Sequence, residues 1–226
     1  MRLALVAAVL AGCTQDVDPA WQLDHERVIA VRATPARIAA GESAQLDVLF
    51  GHKGAPPAVV EPDTVEVISP TSLASALSHG AHWTITTPSD DQLAAARREL
   101  ALDPGAPVPL RLRVRFATSP LTGLKVVWLG QHADNPVIDP VTIDDMNALA
   151  ESQLSIPAGV DVPLVVDFDD SYNINWLTSC GTMHDFDLAH AHLHIAPEDP
   201  QSGSLAIVVR DSLGGVAWHH WPVAAR

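Results

Sequence analysis

Basic residues are scarce in this chain. Lysine and arginine total 13 against 27 aspartates and glutamates, a formal charge of −14 at pH 7. Nothing concentrates cations to neutralise phosphates, which argues against a nucleic-acid partner. The same scarcity leaves no polybasic patch for anionic lipid headgroups. Cysteine is scarcer still, with Cys13 and Cys180 the only two. The G-x-S-x-G, H-E-x-x-H, P-loop and Rossmann fingerprints are all missing, so no catalytic motif directs the reading toward an enzyme. The leading apolar run, 3–11, is too short to span a bilayer.

What the chain does have is core-forming and turn-forming residues. Hydrophobic content is 47%, and 18 prolines and 13 glycines are spread along 226 residues. That composition suits many short strands joined by turns. The length fits two β-sandwiches of about 100 residues each. The reading is therefore mainly β, with one or two short helices.

The first unit opens with strands at 27–32 and 43–50, where Leu46 and Val48 share one face. Between them Pro35 fixes φ and Gly41 opens a corner. Residues 51–57 read as a loop and 64–68 as an alternating strand. A short helix is expected over 72–78, capped by Thr71. Ser89-Asp90-Asp91-Gln92 forms a capping box for a helix reaching Leu102, with Leu93, Ala96 and Leu100 on one face. The strand 108–117 presents Arg111, Arg113 and Arg115 to solvent. A second pass begins near Asp134, with strands at 137–143, 162–168 and 172–178, the last around Trp176. Residues 144–153 read as a helix or a loop. In 188–195, Ala189, Ala191, Leu193 and Ile195 point one way and the interleaved histidines the other. The chain closes in a hairpin: 204–209, a turn through Gly214-Gly215, then 216–221. Trp83, Trp128, Trp176, Trp218 and Trp221 read as packing residues.

The opening pattern of Pro35, Ile38, Gly41-Glu42, Leu46 and Val48 resembles bacterial immunoglobulin-like domains. The later tryptophan and the closing Gly203…Gly215 hairpin resemble the second half of immunoglobulin-like or PKD-like modules. The resemblance implies two tandem immunoglobulin-like β-sandwich domains, 27–131 and 132–226, without the inter-sheet disulfide of antibody domains.

The N-terminus is an address. Arg2 and the apolar run fit an export signal. Leu10-Ala11-Gly12-Cys13 resembles the lipobox of bacterial lipoproteins. That resemblance implies a lipoprotein signal peptide over 1–12, lipidation of Cys13 and a tether over 13–26. It also implies a bacterial cell-envelope location held by acyl chains. Thr14, where an aspartate would favour inner-membrane retention, points to the outer membrane. With Cys13 lipidated, Cys180 has no intramolecular partner.

Six of eleven histidines fall within 174–221. His190, His192 and His194 alternate on a strand, where side chains two apart stand roughly 6.5–7 Å apart. Cys180 and His184 lie a short loop away, so the set could hold zinc or copper. Against this stands a solvent-facing strand of polar residues. Cys180 beside a histidine could also be a nucleophile, but no oxyanion-hole motif accompanies it. Asp167, Asp169 and Asp170 cluster at a strand end, a calcium-type oxygen set without the EF-hand glycine and distal glutamate. His219 and His220 should face opposite ways, one of them exposed. The first expectation is non-enzymatic binding or scaffolding with an envelope protein partner and no cofactor. The alternative is a periplasmic metal-binding lipoprotein.

Overall fold

The computed structural model describes residues 18–138, 140–149, 152–168 and 171–226. The first half contributes β1 (Arg27–Thr34), β2 (Arg37–Ile38), β3 (Ser43–His52), β4 (Ala55–Val60), β5 (Thr64–Ser69), β6 (Leu77–His79), β7 (Trp83–Thr86), β8 (Val108–Phe116) and β9 (Ser119–Leu129). One sheet runs β1-β3-β7-β6, with β4 on the remaining length of β3; the other runs β2-β9-β8-β5. Alternation explains β8: Val108, Leu110, Leu112 and Val114 are fully buried, while the intervening arginines face out. Glu66 lies opposite Arg113 in register and accepts from its guanidinium at 2.7 Å.

The second half repeats the plan with β10 (Val141–Ile143), β11 (Met146–Asn147), β12 (Leu154–Ile156), β13 (Asp161–Val166), β14 (Asn173–Thr178), β15 (Thr182–His184), β16 (His190–His194), β17 (Ser202–Arg210) and β18 (Val216–Ala225). Its sheets run β11-β10-β13-β16-β15 and β12-β18-β17-β14. In both halves a short strand before a positive-φ glycine, Gly41 or Gly159, pairs parallel with the closing strand. Each half therefore sets strands A, B, E and D against A′, G, F and C, the order of an immunoglobulin-like sandwich. Trp176 fills the strand-C position, fully buried, its Nε1 donating to Leu188 O at 3.0 Å.

Several local expectations need correction. Residues 51–57 are not a loop: β3 continues to His52, and β4 returns with Pro56 and Pro57 on an edge, where a missing N–H costs no ladder bond. Thr71 caps nothing. It lies inside a 3₁₀ turn, Thr71–Ala76, and is held by Glu99. The capping box at Ser89 and Gln92 forms and starts α1 (Asp90–Glu99). That helix stops short of Leu102, with Ala101 at φ 53°. Within 144–153 the described residues form the β10–β11 hairpin and a turn.

Each sandwich has its own core, and a third apolar cluster joins them. Ile29, Ala30 and Leu49, on the outer face of the β1/β3 sheet, meet Leu177, Ala206, Val208, Val216 and Trp218 on the outer face of the β14/β17/β18 sheet. A bulge in β1 between Val28 and Ala30 turns both Ile29 and Ala30 to this seam. The N-terminal segment joins it too. Leu23 is buried there, and Thr178 N donates to Trp21 O at 2.9 Å. As a result β17 is buried on both faces, with Leu205, Ile207 and Val209 in one core and Ala206 and Val208 in the seam. Trp218 also carries the Arg32 guanidinium 3.8 Å above its ring.

Burial of a large side chain on this scale contributes about 1.5–3 kcal/mol, and its removal adds a cavity term. We expect Trp218→Ala to lower unfolding stability by about 3 kcal/mol or more. Val137→Ser, at a side chain 77% exposed, should shift it by less than about 0.5 kcal/mol. Urea unfolding followed by circular dichroism checks both.

Candidate functional site

The histidines of the sequence cluster lie on the outer face of the β13/β16/β15 sheet. Ala191 and Leu193 alternate with them and are fully buried. His184 and His192 are direct cross-strand partners, and His194 sits opposite Thr182. His194 Nδ1 lies 2.8 Å from Asp161 Oδ1. Cys180 is on the other side of this sheet. Its side chain is 1% exposed and belongs to the second core. Burial pushes its thiol pKa up, opposed by a contact to Thr178 Oγ1. The structure thus brings His184 and His192 together and keeps Cys180 apart from them. Among the described residues no group of three or more His, Cys, Asp or Glu side chains is arranged to hold a metal ion. Asp167 is exposed at the end of β13; Asp169, Asp170 and Cys13 lie outside the described residues. His219 and His220 are both half-buried, so neither is the exposed one expected; His219 Nε2 lies 3.0 Å from Ile138 O.

The feature that sequence reasoning missed is the polar margin of the seam. Lys125, on β9, is buried with 5% exposure, and its Nζ donates to Gly214 O in the β17–β18 turn. Gly214 adopts φ 90°, and a Cβ there would stand 2.7 Å from Val126 O. The turn can therefore approach β9 only with glycine at this position. Asp211 organises the same turn, accepting from Leu213 N and Gly215 N at 2.7 Å each, and pairs with Arg37 at 3.3 Å. Asn135 stitches the halves: its Nδ2 donates to Ala33 O, and its Oδ1 accepts from Val216 N, both at 2.8 Å. Arg210 donates to Asn175 Oδ1 at 2.7 Å and to Ile29 O at 2.8 Å across the seam.

Among the described residues no carboxylate oxygen lies within 4.0 Å of Lys125 or Arg210 in a salt bridge. Burial lowers the Lys125 pKa from 10.5 to about 8; Arg210 and Arg32 add to the lowering, while Asp211 and Asp47 oppose it. Burial likewise lowers that of Arg210, with Arg27 adding repulsion. The two side chains border a cleft of about 530 Å³ between the sandwiches, walled by Val28, Val31, Leu124 and Trp128. The available signals were faint: a lone lysine in an apolar strand, 124–129, and an arginine ending the run 204–209.

No family model and no curated protein matches the chain. Solved structures similar to it include the N-terminal Ig1-2 module of the Drosophila receptor protein tyrosine phosphatase DLAR, at 12% identity. The match covers 89% of this chain and 98% of that one, with a TM-score of 0.32. Drosophila N-cadherin EC1-4 is similar at 12% identity over 90% of this chain and 51% of that one, TM-score 0.27. A nucleoside hydrolase-related hypothetical protein from Saccharophagus degradans is similar at 17% identity and TM-score 0.33. That match covers 42% of this chain, which spans about a quarter (26%) of the other. At these scores the fold of this chain stands on its own strand order.

Two outcomes follow. Below pH 8 Lys125 is charged in both the folded and unfolded states, so its desolvation opposes folding in full. Between about 8 and 10.5 the folded chain releases the proton that the unfolded chain keeps, so stability rises with pH. The stability of the native chain relative to Lys125→Met should climb by about 3 kcal/mol across that window; chemical denaturation at pH 7 and pH 10 measures it. Separately, in a Cys13→Ser chain the Cys180 thiol should resist an aromatic disulfide reagent until the protein is unfolded, then react in one equivalent.

Proposed function

We propose that this chain is a lipid-anchored lipoprotein of a bacterial cell envelope. It works there without catalysis, as a binding or scaffolding body made of two fused immunoglobulin-like sandwiches. The observation that carries the reading is the position of Leu10-Ala11-Gly12-Cys13 a few residues ahead of Trp21, where hydrogen bonding to β14 begins. Residues 14–20 can span at most about 25 Å. A lipid on Cys13 would therefore hold the edge at β14 and the seam close to the bilayer, with the body presented as one piece. The immunoglobulin-like fold supports a binding module and by itself assigns no ligand. Thr14 supports the outer membrane, and the partner is an envelope protein.

A second reading, zinc or copper binding, is supported by the cross-strand pair His184 and His192. It is read by elemental analysis of the same preparation: one equivalent of metal, lost in His192→Ala, would favour it.

Expression of the full chain in a Gram-negative host tests the first reading. The native chain should fractionate with the outer membrane and carry a diacylglyceryl mass on Cys13, whereas Cys13→Ser should be released as soluble periplasmic protein. Soluble native protein without the added mass would overturn the proposal.

A further inference from the structure

The interdomain cleft has a chemistry that the envelope reading does not use. Its walls are apolar, formed by Val28, Val31, Leu124 and Trp128, and its polar lining is the two cations Lys125 and Arg210 with Thr122, Ser212 and Asp211, whose carboxylate is paired with Arg37. Both are pressed into the seam, with carbonyl or amide oxygens as their hydrogen-bond acceptors. The nearest acidic group on the opposing turn, Asp211, spends its oxygens on Arg37, Leu213 N and Gly215 N. Asp47 is bound to Arg32. In a chain with 27 acidic residues, a buried lysine and a half-buried arginine without a salt-bridging carboxylate among the described residues stand out. Burying an unpaired charge is costly, and such positions persist mainly where a ligand or function compensates.

We propose that the cleft is a binding site for a small amphipathic monocarboxylate, its carboxylate received by Lys125 and Arg210 and its apolar body lying along Val28, Leu124 and Trp128. Charge complementarity selects the head group. Lysine retains two further N–H donors beyond the one given to Gly214 O, and Arg210 carries five in all. The apolar walls select the tail, and the volume of about 530 Å³ falls within the range of small-molecule sites. An anion in the cleft would favour the charged amine, reversing the burial effect that now lowers its pKa. The inference is independent of the lipid anchor and stands or falls without it.

Octanoate is the probe. Calorimetric titration of the full chain carrying Cys13→Ser, so that no detergent competes, should give saturable binding at one equivalent. 1-Octanol and octylammonium should bind at least tenfold more weakly, and so should octanoate to Lys125→Met. In the unsubstituted site, octanoate should slow acetylation of Lys125 by acetic anhydride severalfold, read by peptide mass spectrometry. This arm does not require the variant to fold. Absence of saturable octanoate binding, equal binding of 1-octanol, equal binding to a folded Lys125→Met, or unchanged acetylation of Lys125 would each overturn the proposal.

Discussion

The apolar seam between the two sandwiches is the contact on which the rest of the structure depends. It removes the outer faces of two sheets from water and so turns four sheets into a stack with three apolar layers. Trp218, Leu177 and Val208 supply one side, Ile29, Ala30 and Leu49 the other. Tandem sandwiches joined only end to end would leave these side chains as an exposed patch, which soluble chains rarely tolerate. The bulge in β1, the docking of Trp21 and Leu23 against β14 and the close approach of Gly214 to β9 all serve this one surface.

The seam also sets the electrostatics. Its margin is crossed by Lys125, Arg210, Asn135 and the Arg37–Asp211 pair, each linking one half to the other. Asn135 satisfies a carbonyl on one side and an amide on the other, so it binds without carrying charge. Desolvation of the Lys125 ammonium opposes folding at neutral pH, with Asp211 and Asp47 offsetting part of it. The apolar contacts outweigh it, and the cost leaves a cationic cleft at the rim of an acidic protein. Rigid attachment of the two halves also means that any lipid at Cys13 would orient both together.

Much of the fold was legible. The alternation in 108–115 and 190–195 gives the faces of β8 and β16, and the closing hairpin follows from its two apolar runs and paired glycines. Ser89 and Gln92 announce α1 because both halves of a capping box are local. What was not legible depends on contacts between distant segments. The run 205–209 shows that a strand is buried on both faces, but not that its second face meets β1 and β3. Residues 51–57 looked like a loop because of Pro56 and Pro57; only the edge position of β4 makes them compatible with a strand. At the site, periodicity placed the three histidines on one face correctly, while Cys180 turns into the core because the chain bends at Ser179 and Gly181. Lys125 gave no signal because a single charged residue in an apolar strand carries no periodicity of its own. Its burial comes from the turn of the other sandwich.

The most direct test of the central claim is small-angle X-ray scattering of the chain from residue 18 onward. Two sandwiches packed face to face form one compact body, and a chain of this size should then show a radius of gyration of about 17 Å with a single-peaked distance distribution. A clearly larger radius with a two-lobed distribution would mean that the sandwiches separate in solution, and it would contradict the seam as the organising contact.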